Sequence, residues 1–425
     1  MNIIKSSFLI QFKNSFIPSQ KHMPNRRYDL DWLRVLVFGL LIFYHIGMLY
    51  VENWGFHIKS QYQSQVLESF MLIIEPWRMP ILWLISGIAM RFVLAKVSVY
   101  RFISIKSLRL LLPLLVGILV IIPPQLFIEM TYKGDLNLSY WQFLHAFYSN
   151  NSLVFSKYQS GIWPHIDVNH LWYLRSLWQF SLALVILLPL LNSRWVSRSL
   201  NWLFKQNAFI AIFISIMPVF IIQITITESK DLSRDALGFL FLIYGYLIGW
   251  EPLFWQKLKG TIKPLLIIST LCFTLFIGFY NLVYLNKDLD SEFLYASGMM
   301  VYSIFRILGA LTVLALTYKF LNINSKKLSY FNDAVYPFYI LHQTLIIVIG
   351  YYLSQQNLGP IIEPILIIFL TVAGCFIGYE VIRRVEFLRP CFGLNMTKKY
   401  NPKLVTFAYT ACALSLIPLA IEILL

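Results

Sequence analysis

The sequence predicts an all-α, polytopic membrane protein of eleven helices, and three observations predict it. Of its 425 residues 58% are hydrophobic and only 13% charged, where a soluble domain carries roughly 25% charged residues. Its apolar residues come in runs long enough to cross a hydrocarbon layer about 30 Å thick. Its basic residues fall in alternate connections between those runs, the pattern of a positive-inside topology. The net charge of +15 therefore belongs to topology and the lipid bilayer, and not to nucleic acid.

The chain opens with a basic tail, 1–27, whose apolar patch at 8–12 is too short for a signal sequence and lacks a small-residue cleavage site, so no processing is expected. Runs of spanning length follow at about 31–51, 68–95, 104–130, 170–193, 207–227, 235–255, 261–285, 294–321, 334–353, 361–383 and 404–425. With the N-terminus cytoplasmic, 25 of the 35 Lys and Arg residues fall inside. Six fall outside: Lys59, Lys133, Lys157, Lys230, Arg234 and Lys287. Arg78, Arg91, Arg175 and Arg306 lie within helices. An even helix count would break the alternation, so the C-terminus is expected outside. The long outer connection, about 131–169, is rich in Tyr, Trp, Phe, Asn and Ser. Connections of that length are functional or carry structure of their own, and these rings suit a sugar or a membrane-interface belt equally. Gly245/Gly249 and Gly374/Gly378 have the spacing of close helix packing. The four cysteines have no metal-like spacing, and no disulfide is expected.

Ionisable residues inside spanning helices are the candidates for function, because hydrocarbon tolerates them poorly. Arg34 and His45 are eleven residues apart. Eleven helical steps are three turns plus about 20°, so both leave one face roughly 16 Å apart. Depth counting brings His45, Arg78 and Arg306 to the midplane, with Glu75 one turn before Arg78. A salt bridge from Glu75 to a neighbouring Arg is the structural alternative for this group. His170 starts the fourth helix at the outer face with Trp172 and Arg175 just after it, and His342 lies within the ninth. Either histidine also fits a polar helix contact. His165, Asp167 and His170 are close in sequence but lack a fourth ligand, so no metal is expected. The motifs of serine hydrolases, P-loop ATPases, dinucleotide enzymes and zinc proteases are absent from the sequence.

Six stretches, in order, resemble a known family. Asp31-Trp-Leu-Arg34-x10-His45 is similar to the signature of the acyltransferase-3 family of integral membrane O-acyltransferases. Arg78 through Ser86-Gly87, Ser107-Leu-Arg109 through Pro113, and His170-Leu-Trp172-Tyr-Leu resemble its second, third and fourth core helices. The stretch from Ala334 to His342 and that from Tyr379-Glu380 to Arg389-Pro-x-Phe-Gly393 resemble its last two. The likeness spans roughly 26–394 and its wording is closest to the glucan-modifying, succinyltransferase-like branch. It implies a ten-helix membrane acyltransferase domain at 28–395, with 396–425 as one extra C-terminal transmembrane helix.

The resemblance implies transfer of an acyl group, acetyl or succinyl, from cytoplasmic acyl-CoA to a hydroxyl of a periplasmic or surface glycan. It also implies a bacterial cytoplasmic membrane, with acyl-CoA a co-substrate and no bound cofactor. The residues supply reasons. Arg34, Arg101, Lys106 and Arg109 stand on the inner side, where guanidinium forks suit the CoA phosphates. A neutral His45 suits a general base, and Arg78 or Arg306 suits a developing oxyanion. The acceptor would arrive past His170, Trp172 and Arg175, while Ser86 is a candidate acyl carrier that also reads as helix packing. A transporter of an organic anion, or a sensor whose polar groups only hold the bundle, are the competing readings.

Overall fold

The computed structural model describes residues 26–149, 154–158, 168–286, 291–397 and 401–425. Most of the basic tail, and His165 and Asp167, lie outside them. Among the described residues the chain is helical, with no strand. The helices are α1 (Tyr28–Gly47), α2 (Gln65–Met71), α3 (Glu75–Leu94), α4 (Val99–Val116), α5 (Ile122–Tyr132), α6 (Tyr140–Tyr148), α7 (Trp172–Leu191), α8 (Arg194–Lys205) and α9 (Ala208–Thr225). There follow α10 (Lys230–Ile248), α11 (Pro252–Gly260), α12 (Ile262–Phe279), α13 (Glu292–Phe320), α14 (Lys326–Ser354), α15 (Gly359–Arg384), α16 (Leu388–Cys391), α17 (Pro402–Ser415) and α18 (Ile417–Leu424).

Nine spans among the described residues are long and apolar enough to cross a membrane, and two bent helix pairs raise the number to eleven. The bends are where straight spans were expected. The run at 235–255 is α10 followed by α11, turned by 101°. Pro252 has no N–H to continue the helix, and the Trp255 indole donates back to the Ile248 carbonyl at 3.0 Å. The last run bends by 41° between α17 and α18, beside Pro418. The outer connection does carry structure of its own. In α6, Ser139 and Gln142 form a reciprocal capping box.

The chain forms two compact units. Of the described residues, the first comprises those up to Val37, Ser69–Phe102 and Leu182–Leu328. Its α3 and α10 meet backbone to backbone. A Cβ on Gly87 would lie 1.9 Å from the Leu242 carbonyl oxygen, and one on Gly245 would lie 2.0 Å from that of Leu84. The sharp turn into α11 also delivers Trp255 to the start of α1. There the Arg27 guanidinium sits 3.8 Å over the Trp255 ring and pairs with buried Asp29 at 2.6 Å.

The second unit comprises Phe38–Glu68, Ile103–Ser181 and Ser329–Leu425. Gly374 and Gly378 on α15 face Leu345 and Leu341 of α14, where an added Cβ would come within 3.1 and 2.6 Å. Helix α1 stops at Gly47, short of the 51 expected, and the chain folds back on itself. The Ser60 amide donates to the Leu49 carbonyl at 3.0 Å and the Ser64 amide to that of Tyr50 at 2.8 Å. Leu49, Tyr50 and Ile58 thereby join Ile42, Ile128, Ile346 and Ile367 in one buried cluster. Irregular backbone in a membrane protein is tolerated where protein buries it or it lines a cavity, and Leu49, Tyr50, Val51, Ile58 and Ser60 of this segment are buried.

Substituting Gly87 by Val is expected to cost about 3 kcal/mol or more, because backbone must move to admit the side chain. Gly39 meets nothing within 4 Å, so Gly39→Ala should be neutral or stabilising by up to about 1 kcal/mol. Melting of both purified variants in detergent tests the pair, and an unshifted Tm for Gly87→Val would contradict this packing.

Candidate active site

In the second unit, the last turn of α1 presents His45 to α14. His45 Nδ1 lies 2.9 Å from His342 Nε2, with the rings stacked at 8° and 5.1 Å between centroids. The direction of that hydrogen bond follows from the backbone. His342 Nδ1 faces the carbonyls of Tyr339 at 2.7 Å and Phe338 at 3.1 Å. A carbonyl only accepts, so His342 carries its proton on Nδ1 and its lone pair on Nε2. His45 must then donate from Nδ1, which places its own basic lone pair on Nε2. Fully buried His342 thus orients His45 as a second imidazole does in a relay.

Sequence reasoning missed the groups that continue this polar level. Gln343, next to His342, donates to His57 Nε2 at 2.8 Å and to Asn169 Oδ1 at 3.2 Å. His57 Nδ1 then donates to Glu129, which also accepts from Lys133. Asn169 holds its backbone in the left-handed region at φ +50°, a conformation Asn tolerates better than most residues. His57 lies on the folded-back segment between two apolar runs, where no periodicity marked it. Lys59 braces that segment on the Met48 and Val51 carbonyls, and burial pushes its ammonium below the usual lysine range. Glu129 had a sequence signal, being a carboxylate near the end of an apolar helix.

His170 is spent differently. Its Nε2 donates to the Ile340 carbonyl at 3.0 Å and its Nδ1 faces the Gln125 amide at 3.4 Å. That is the arrangement of a helix tie. Trp172 and Arg175 follow it, half-buried, on the first turn of α7. Lys106 and Arg109 lie on α4 with Arg101 near its start, and Arg109 donates to the Asn395 side chain.

In the first unit Tyr302 stands between Glu75 and Arg306. Its hydroxyl donates to Glu75 at 2.7 Å and accepts from Arg306 Nη2 at 2.8 Å, while the guanidinium lies 4.3 Å over its ring. Between Glu75 and Arg306 the structure has a tyrosine-bridged chain in place of the direct salt bridge of the structural alternative, which sequence alone did not show. Arg306 Nη1 is buried with no hydrogen-bond partner among the described residues. Arg78 lies one turn after Glu75 on α3, in the same unit. Ser86 precedes Gly87 at the close contact with α10. Asp31 pairs with Arg26 at 3.0 Å, and Arg34 is half-buried on α1. His45 belongs to the second unit, Arg78 and Arg306 to the first. Among the described residues no cluster of three His, Cys, Asp or Glu side chains could hold a metal.

Tyr302→Phe leaves Glu75 and Arg306 half-buried without their shared hydroxyl. A loss of about 1–3 kcal/mol is expected, read as a lower Tm in detergent. An unchanged Tm would make the bridge irrelevant to stability.

A family model described as an acyltransferase domain matches residues 27–380, from the start of α1 nearly to the end of α15. The chain is 23% identical over 390 residues to glucans biosynthesis protein C of Escherichia coli O81 (strain ED1a), covering 89% of this chain and 97% of that protein. It is 22% identical over 392 residues to the proteins of the same name from E. coli O157:H7 and E. coli K12, with the same coverage. No solved structure matches.

Proposed function

Since the chain belongs to the acyltransferase-3 family and is a multi-pass membrane acyltransferase, we propose that it moves an acyl group from cytoplasmic acyl-CoA to a hydroxyl of a glucan-type glycan outside a bacterial cytoplasmic membrane. The observation that carries this reading is the His45–His342 pair, whose hydrogen bond puts a lone pair on His45 Nε2. Arg34 lies on the same helix, three turns earlier. In sequence the charge distribution supports an N-terminus inside and, with eleven spans, a C-terminus outside.

His45 Nε2 takes the proton of the acceptor hydroxyl as that oxygen attacks the thioester carbonyl. The tetrahedral intermediate collapses by breaking the C–S bond, and the imidazolium returns the proton to the leaving thiolate. His342 Nε2 accepts from His45 Nδ1 throughout, and that bond strengthens when His45 becomes cationic. The C-terminal end of α1, where His45 sits, favours the same transient positive charge. The cations on and near α4, Arg101, Lys106 and Arg109, stand where a polyanionic donor approaches from inside. The name shared by the relatives supports a glucan as acceptor, and the resemblance in wording supports acetyl or succinyl as the group moved.

His45→Gln is expected to reduce transfer by about 10²–10⁴-fold, the worth of a positioned general base. His342→Phe, which keeps a ring but removes the acceptor for His45 Nδ1, is expected to cost about tenfold or more. The experiment is mass spectrometry of cell-envelope glycans from a deletion strain complemented with wild type, His45→Gln or His342→Phe. An acyl mass present with wild type alone, or strongly reduced in His342→Phe, supports the reading. Wild-type acylation by a normally inserted His45→Gln protein would refute it.

A further inference from the structure

At the junction of α15 and α16 the second unit holds a polar cavity of about 280 Å3, lined by Asp333, Tyr379, Arg383, Arg384, Arg389 and Leu394. Its arginines differ in how they are held. Arg383 and Arg384 share one carboxylate, Glu380, at 3.2 and 2.9 Å. Arg389 is fixed by two main-chain carbonyls instead, donating from Nε to Asn395 and from Nη1 to Arg383, each at 2.6 Å. Carbonyls hold a guanidinium in place without neutralising it, so Arg389 keeps its full charge and a fixed fork. The segment closing the cavity is pinned as well. Arg109 donates to the Asn395 side chain, and Glu386 accepts from the Thr397 amide and hydroxyl at 2.7 Å. Gly393, at φ +72°, lets the segment turn against Tyr336, where a Cβ would come within 2.5 Å.

Cations that only set topology need no fixed geometry. These have one, around a cavity lined by three guanidiniums and one carboxylate, Asp333, with Glu380 pairing Arg383 and Arg384. We infer that this cavity binds the phosphorylated nucleotide end of the acyl-CoA donor, an inference that rests on the proposed function. Guanidinium forks suit phosphate oxygens, and Asp333 suits ribose hydroxyls or an adenine amino group. The location agrees. Asp333 lies nine residues before His342 on α14, about 14 Å along the helix axis, a separation the pantetheine arm spans. The nucleotide then lies at the cytoplasmic end of α14 while the thioester reaches the His45–His342 pair.

The test is binding of CoA to the purified full-length protein, with pantetheine as the probe that lacks the phosphates. The Arg383→Gln/Arg389→Gln double variant is expected to weaken CoA about tenfold or more, the worth of one charge-assisted hydrogen bond, and to leave pantetheine unchanged. Arg389→Lys, which keeps the charge but loses the fork, should fall between. Arg198→Gln, an exposed arginine of α8, should match wild type. Equal CoA binding by wild type and the double variant overturns the inference while leaving the donor reading intact. No CoA binding by wild type overturns both. The same assay in neutral and anionic nanodiscs separates a lipid headgroup: unchanged CoA binding with a lost response to anionic lipid would assign the cavity to lipid. Should the double variant fail to insert, protection of wild-type Arg389 from phenylglyoxal by CoA, but not by pantetheine, reads the same contact. Absence of that protection overturns it.

Discussion

One stretch of main chain governs the polar centre of this protein. The carbonyls of Phe338, Tyr339 and Ile340 on α14 accept from His342 and His170. A carbonyl has no proton to give, so each contact fixes which imidazole nitrogen is protonated. Once His342 is fixed, so is His45, and once His45 is fixed its basic nitrogen is determined. A pair of stacked histidines without those carbonyls would have two equivalent tautomeric arrangements. The backbone of one helix removes that freedom before any substrate arrives.

The same economy governs the other polar groups. Buried donors and acceptors without partners cost free energy, and at several sites the chain meets that cost with neutral side chains. Tyr302 bridges Glu75 and Arg306, Gln343 bridges His57 and Asn169, and Arg91 is held by Asn192 and Tyr246 at 2.6 and 2.7 Å. An aromatic hydroxyl or an amide offers both a donor and an acceptor, so it links charged groups without adding a charge to be desolvated. Glycines do the complementary work on the apolar side. The contact of α3 with α10 is set by backbone atoms because Gly87 and Gly245 have no side chains to hold the helices apart.

The fold was legible to the extent that it is a one-dimensional pattern. Span length and charge alternation are properties of successive residues, and the eleven runs read from them reappear among the described residues as nine spans and two bent pairs. The bends were less legible. Pro252 and Pro418 permit them, but the 101° turn also depends on where Trp255 finds a partner, the Ile248 carbonyl and the Arg27 guanidinium. The early end of α1 was not legible at all, because residues 48–64 are as apolar in places as the helix before them, and Leu49, Tyr50 and Ile58 are buried by contacts remote in sequence.

Among candidate residues, the sequence by itself determined which groups are anomalous: His45, His342, Glu75 and Arg306 stand out because hydrocarbon penalises them wherever they lie in the fold. It also determined the family, through short motifs in a fixed order. Only the tertiary structure decided which anomalies are partners. His45 meets His342 across 297 positions of chain, Glu75 reaches Arg306 through a tyrosine that carries no charge signal, and His57 sits in a segment with no helical period. Periodicity and composition report what each residue costs in its own neighbourhood, whereas hydrogen-bond direction depends on the group that folding brings opposite.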